Sequence, residues 1–155
     1  MRRALAAVSL AAVLAAAGCG GKGRLGRQEF VSKANSICAT YEAQQNAVTF
    51  PTVNPVAKKT THAQRAEWAV ALKQIVDLGD AEIRALRKLR PPKELQERYD
   101  AVLTEWQRAY DTLREGSVGA KQNDVPTLKK KVPDGRRQLL AVSQKVSVLG
   151  LETCA

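Results

Sequence analysis

The apolar residues of this 155-residue chain recur at intervals of three or four along four separate stretches. This spacing places apolar side chains on one face of an α-helix, whereas a half-buried strand alternates with a period of two. Four helices that each carry one apolar stripe must bury those stripes against one another. We therefore expect an all-α fold, an up-and-down four-helix bundle. The clearest stripe, in the second stretch, consists of Trp68, Leu72, Ile75, Val76, Gly79, Ile83, Leu86 and Leu89.

Capping and turn residues set the expected ends of the first two helices. The first helix is predicted over about residues 29–48, and the proline- and threonine-rich stretch 49–61 is predicted to be a loop. Thr61 and Gln64 have the spacing of a capping box, which begins the second helix. A proline pushes the residue before it out of the helical region, so the second helix should end before Pro91.

The last two helices are delimited less clearly. The third is predicted to run to about residue 115, with a loop over 116–123. Asp124 is a suitable N-cap for the fourth. Pro133 and Gly135 then interrupt the helical pattern, and an interior proline usually kinks or breaks a helix. We expect a kink or a short break over residues 131–135.

The N-terminus resembles an export signal. Arg2 and Arg3 precede the apolar run 4–17, which contains one polar residue, Ser9. A run of that length is too short to cross a bilayer as a helix, which takes roughly 20 residues, but it suits a secretory signal peptide.

The residues that follow resemble a bacterial lipobox, in which small residues precede a cysteine that is acylated after cleavage. The sequence here is Ala16-Ala17-Gly18-Cys19, with alanine where leucine is usual. We expect residues 1–18 to be a lipoprotein signal peptide and Cys19 to carry fatty acids. The alternative is an ordinary signal peptide cleaved at a small-residue site, with Cys19 an incidental thiol.

Residues 19–28 are expected to be a lipidated, flexible tether, because glycines and basic residues dominate them. Lys22, Arg24 and Arg27 in this tether either contact anionic headgroups or only keep it soluble. The remaining residues, 29–155, are expected to form the helical bundle domain.

Basic residues outnumber acidic ones by 25 to 15, and the excess concentrates in the last helix. Because residues 1–18 contain two arginines and no acid, their removal lowers the formal net charge from +10 to +8. Such a surplus favours anionic partners. Outside the membrane, the partner expected is anionic lipid or an acidic wall polymer rather than nucleic acid. The alternative is an ordinary solvated helix face. The residues expected to make the contact are Lys129, Lys130, Lys131, Arg136 and Arg137.

Cys38 and Cys154 are expected to form a disulfide. If Cys19 carries lipid, two cysteines remain, and thiols in exported chains usually pair. In an up-and-down bundle the fourth helix ends near the level at which the first begins, so a short tail can fold back to Cys38. The bond would close a loop for which the chain-entropy model gives about 4.7 kcal/mol. The alternative is that Cys38 is a buried free thiol.

The residue types that carry most enzyme chemistry are scarce. His62 is the single histidine and no Cys-x-x-Cys pair occurs, so neither a zinc site nor a nucleophilic triad is predicted. His62 is expected to serve at the start of a helix. We expect no enzyme activity, no metal and no cofactor. Trp68 and Trp106 lie in apolar stripes of neighbouring helices and are either core aromatics or the walls of a ligand pocket.

Three short motifs resemble those of small secreted and lipid-anchored proteins of high-GC bacteria. The first helix carries Phe30 and the run Ala34-Asn35-Ser36-Ile37-Cys38, and residues 86–92 form a Leu-x-x-Leu-x-Pro-Pro junction. The chain closes on Leu149-Gly150-Leu151-x-x-Cys154. The resemblance implies a helical bundle with one cysteine in the first helix and one at the extreme C-terminus. It implies no activity and transfers no functional residues.

The function expected is that of a cell-envelope lipoprotein on the extracytoplasmic face of the cell membrane, acting as a non-enzymatic interaction or structural module. The alternative is a carrier that holds a small apolar ligand between helices near Trp68 and Trp106.

Overall fold

The computed structural model describes residues 23–155, so the predicted signal peptide lies outside the described residues. This part of the chain is all-helical and contains no strand. The prediction of an all-α four-helix bundle is confirmed. The helices are α1 (Arg27–Asn46), α2 (His62–Leu86), α3 (Lys93–Lys121) and α4 (Val125–Val148), followed by a single C-terminal turn of 3-10 helix (Glu152–Cys154).

Local signals begin α2 and α4 where the sequence predicts. The Thr61 hydroxyl accepts a hydrogen bond from the backbone N–H of Gln64 at 3.2 Å, and the Gln64 side chain accepts one from the Thr61 amide at 2.9 Å. This is the predicted capping box. Asp124 caps α4 by accepting from the hydroxyl and the backbone N–H of Thr127, and these hydrogen bonds lower the pKa of Asp124.

Helix α3 is longer than predicted because the glycines near its end allow close packing instead of forming a turn. The loop predicted over residues 116–123 is wrong, since α3 continues through most of it. A Cβ atom on Gly116 would lie 2.7 Å from Cγ2 of Val132, and one on Gly119 would lie 2.9 Å from Cγ2 of Thr127. The absence of these Cβ atoms lets α3 and α4 approach each other closely.

Helix α4 is continuous across Pro133 and Gly135, so the break predicted over residues 131–135 does not occur. Pro133 is exposed, and water can therefore reach the Lys129 carbonyl that the proline ring leaves without a helical partner. Gly135 is buried, and a Cβ atom on it would lie 2.7 Å from the Leu113 side chain of α3. Tight packing against α3 holds α4 together where the sequence pattern indicates an interruption.

Helix α1 begins at Arg27, inside the stretch predicted to be a tether. Leu25 packs against the core and donates its backbone N–H to the Arg90 carbonyl at 2.8 Å. The Arg24 guanidinium donates to the Pro91 carbonyl at 3.0 Å. The prediction of a flexible tether therefore does not hold for residues 24–28, which are fastened to the α2–α3 turn.

Helix α1 lies alongside only part of the bundle. The rings of Phe30 and Tyr99 meet edge to face with centroids 5.0 Å apart, and Gln45, near the end of α1, lies 3.4 Å from the hydroxyl of Tyr110. Beyond that level the loop 47–61 takes the place of α1. We call the half of the bundle that contains α1 and the α2–α3 turn the proximal half. The half that contains the loop 47–61 and the α3–α4 connection is the distal half.

Candidate functional site

The C-terminal turn is bonded to α1. Cys38 and Cys154 form a disulfide with their Cα atoms 5.1 Å apart, and both cysteines are buried. That separation is within the usual range for disulfides. The backbone N–H of Thr153 also donates to the side-chain oxygen of Asn35 at 3.2 Å. The predicted disulfide is confirmed, and it clamps the C-terminus to the proximal half.

The five basic residues predicted to contact an anionic surface do not form one patch. Lys131 faces α3 and pairs with Glu115 at 2.5 Å. Arg137 pairs with Asp134 on the preceding turn of α4. Two of the five cations are therefore already neutralised by carboxylates of the same chain.

Lys129, Lys130 and Arg136 are exposed and make no ion pair with any residue of 23–155. A separation of seven residues is nearly two helical turns, so Lys129 and Arg136 share one side of α4. Lys130 lies about 100° around the helix from them. The five candidate residues thus separate into two that are ion-paired (Lys131 and Arg137), the exposed Lys130, and the pair Lys129 and Arg136 beside a cleft.

The cleft beside Lys129 and Arg136 has a volume of about 300 Å³ and lies between the loop 47–61, α2 and α4. Its apolar lining includes the buried Trp68 and Leu128, and the two cations stand at its edge. The volume is at the small end of the range for ligand pockets. The arrangement suits a small molecule with an apolar body and one anionic group. The complete lining is Pro55, Val56, Trp68, Leu128, Lys129, Val132, Pro133 and Arg136.

Arg65 holds the loop that forms one wall of this cleft. Its side chain is 6% exposed and donates to the Pro55 carbonyl at 2.8 Å, the Ala57 carbonyl at 2.9 Å and the side-chain oxygen of Asn123 at 2.7 Å. A buried cation is costly unless hydrogen bonds replace its hydration. Arg65 therefore fixes the loop 47–61 to the α3–α4 connection. The sequence gives no clear signal for this role, because Arg65 occurs among other polar residues at the start of α2.

Trp106 lines a different cleft, of about 250 Å³, between α3, α4 and the C-terminal turn. The exposed Leu140 and the disulfide-bonded Cys154 also line it. The two clefts have no lining residue in common, so the structure does not bring Trp68 and Trp106 into one pocket. Both tryptophans are mainly core residues, since Trp68 is 6% exposed and Trp106 is 7% exposed. Each contributes part of its surface to its own cleft.

Glu82 is a buried carboxyl group in the proximal half. It is 4% exposed and accepts a hydrogen bond from Gln45 at 3.3 Å. Burial, opposed by the hydrogen bond from Gln45 and assisted by the charge of Glu42, raises the pKa of Glu82 from 4.5 to about 7. Burial likewise raises the pKa of the neighbouring Tyr110 to about 12. The residues next to Glu82 in the sequence do not indicate that its carboxyl group is buried.

His62 lies at the first position of α2, as predicted, and its Nε2 atom is 2.9 Å from the Lys121 carbonyl oxygen at the end of α3. Residues 23–155 contain no group of three or more histidine, cysteine, aspartate or glutamate side chains placed to hold a metal ion. None of the helices described is long and apolar enough to cross a membrane.

Cys19, the predicted lipidation site, lies outside the described residues. Comparison of the chain with protein-family models, with curated proteins and with solved structures found no match.

Proposed function

We propose that this chain is a cell-envelope lipoprotein, anchored through Cys19 at the extracytoplasmic face of the cell membrane, whose bundle is a non-enzymatic binding module. The disulfide between Cys38 and Cys154 is the observation that carries this proposal. Structural disulfides persist in oxidising compartments and are rare in the cytosol. The bond therefore agrees with the export signal and lipobox that precede the bundle in the sequence.

The roles of the polar groups in the bundle support binding over catalysis. His62 contacts a backbone carbonyl that ends α3, and Arg65 is fully engaged in holding a loop. The motif resemblance to small secreted and lipid-anchored proteins of high-GC bacteria supports the same location.

Replacement of Cys19 tests the anchor. The Cys19→Ala variant should lose incorporation of a labelled fatty acid and accumulate as an unprocessed or mis-sorted precursor. Cys154→Ser is the matched control, because it removes a thiol of the bundle and should leave labelling intact. Normal labelling and membrane retention of Cys19→Ala would overturn the proposed anchor.

A second candidate function is that of a carrier for a small amphiphilic anion, and the cleft at Trp68 favours it. The apolar lining would hold an aliphatic chain, while Lys129 and Arg136 would attract a carboxylate or phosphate at the edge. Neither cation is paired with a carboxylate of residues 23–155, so neither must give up an ion pair to bind.

Tryptophan fluorescence tests this carrier function directly. In a Trp106→Phe variant, Trp68 is the remaining indole, and decanoate should change its emission in a saturable way. Decanol, which lacks the charge, should bind more weakly, and Lys129→Ala with Arg136→Ala should abolish the difference between the two ligands. No saturable change with decanoate would eliminate the Trp68 cleft as a site for such anions.

A further inference from the structure

Six cationic side chains lie around Gly23, the first residue that the structure describes. Four lie in or next to the α2–α3 turn, one lies just before α1 and one is the first residue of α1; all six are exposed. None makes an ion pair with a residue of 23–155. We call this surface the basic end; it consists of Arg24, Arg27, Arg87, Lys88, Arg90 and Lys93.

Few carboxylates offset this charge. The sequence from residue 83 to residue 93 contains no acid, and Glu94 is the first to follow. Glu29, near the start of α1, is held by Lys33 at 2.7 Å. The basic end therefore projects an unneutralised positive field away from the proximal half.

The chain is fastened within this surface. A Cβ atom on Gly23 would lie 3.2 Å from Nη1 of Arg90, and Leu25 and Arg24 are bound to the carbonyls of residues 90 and 91. Gly23 is only four residue steps from Cys19, with three residues between them. At full extension these steps span roughly 14 Å, whereas the ten-residue tether predicted from the sequence would have spanned roughly 35 Å.

We propose that the basic end faces the anionic phospholipid headgroups of the membrane that holds Cys19. The α2–α3 turn is then the part of the bundle nearest the membrane surface. This inference rests on the proposed acylation of Cys19. The short link keeps the basic end within reach of the headgroups, and its cations match their charge. The distal half, with the Trp68 cleft, points away from the membrane.

The basic residues 129–137 of α4 are too far along the bundle to share this contact. Thr127 and Gly135 of α4 pack against Gly119 and Leu113 of α3. These residues of α3 are roughly 39 and 30 Å from Lys93 at 1.5 Å per residue. The screening length at physiological ionic strength is about 8 Å, so cations at that height contribute little to attraction by the membrane.

Energy transfer from tryptophan to a dansyl-headgroup lipid tests the orientation. The protein is the acylated mature chain, which begins at Cys19 and is purified from its membrane. The fatty acids on Cys19 are verified by mass, and the protein is reconstituted in phosphatidylglycerol–phosphatidylcholine vesicles. Trp106 is nearer the basic end than Trp68. Transfer from Trp106 in the Trp68→Phe variant should exceed transfer from Trp68 in the Trp106→Phe variant. Phosphatidylcholine vesicles, or high salt, should reduce this excess.

Charge reversal identifies the surface that causes the excess transfer from Trp106. Arg87→Glu, Lys88→Glu and Lys93→Glu together should abolish the excess transfer. The matched control is Lys129→Glu, Lys130→Glu and Arg136→Glu, which changes the net charge equally and should leave the excess intact.

The possible outcomes distinguish the two proposals. A mass without fatty acid on Cys19 overturns the lipoprotein proposal and the orientation with it. The proposed orientation is overturned, and the anchor is not, by any of three results. These are equal transfer from both tryptophans, the same excess on neutral vesicles, and an excess that only the α4 control variant reduces.

Discussion

The two halves of the bundle are held together in different ways. In the proximal half, the disulfide joins α1 to the C-terminal turn, and the N-terminal segment is hydrogen-bonded to the α2–α3 turn. In the distal half a helix is replaced by the loop 47–61, which depends on the hydrogen bonds of Arg65 and on the packing of Phe50 against Trp68. The proximal half is closed covalently, whereas the distal half is closed by noncovalent contacts of a loop that also forms one wall of the Trp68 cleft.

Loss of the disulfide should produce the largest effect and should weaken mainly the proximal half. Cys38→Ser with Cys154→Ser should lower the free energy of unfolding by about 2–5 kcal/mol, because the unfolded chain regains the freedom of a long closed loop. Urea denaturation measures the loss, and reduction of the unmodified protein should reproduce it. An effect below about 1 kcal/mol would mean that the proximal half does not depend on the bond.

Glu82 should make the proximal half sensitive to pH. The pKa of Glu82 rises from 4.5 in the unfolded chain to about 7 in the fold. The contribution of its neutral form to the free energy of unfolding is therefore fully present below pH 4.5 and is lost as pH rises through 7. Glu82→Gln should therefore raise the free energy of unfolding at pH 8 by an amount on the order of 3 kcal/mol, with no gain at pH 4. Denaturation across pH measures this. The exposed Glu97, changed to Gln, is the control; a similar gain there would disprove the burial argument.

Arg65→Met should release the distal loop and leave the proximal half intact. The substitution keeps much of the apolar stem but removes three donors, and it should cost about 2 kcal/mol. In hydrogen exchange, the amides of residues 47–60 should lose protection while those of α1 keep theirs. Equal loss in both regions would show that the two halves are not independent.

The smallest effect on stability is expected for Lys129→Ala with Arg136→Ala at the edge of the Trp68 cleft. Both side chains are exposed and unpaired within residues 23–155, so the free energy of unfolding should change by less than about 0.5 kcal/mol. Thermal denaturation checks this. A larger loss would show that the two cations hold the loop as Arg65 does and are not free to bind an anion.

The elements of this fold that depend on neighbouring residues were predictable from the sequence. The apolar stripes, the capping box at Thr61 and the N-cap Asp124 all lie where the pattern indicates. The errors arise where a distant contact decides local structure. Gly116 and Gly135 are helical because another helix packs on them, and Leu25 is ordered because Arg90 accepts its backbone N–H.

The candidate site was predictable only in part. The pairing of Cys38 with Cys154 followed from the number of cysteines and the expected topology. The separation of the α4 cations did not, because it depends on the positions of Glu115 and Asp134 around the helices. The basic end was missed because two of its residues are far in the sequence from the other four, and the two groups meet only through the hydrogen bonds of Arg24 and Leu25.

The disulfide also determines how a mechanical load would travel through this molecule. A pull applied between Gly23 and Ala155 passes along α1 to Cys38, crosses the sulfur bridge to Cys154 and leaves one residue later. Residues 39–153 form a closed covalent loop outside this covalent path, and noncovalent contacts such as those of Arg24 and Leu25 with residues 90 and 91 are what join it to the pulled segment. A bundle connected in this way can be pulled at both ends of its chain without a covalent load path through helices α2, α3 and α4.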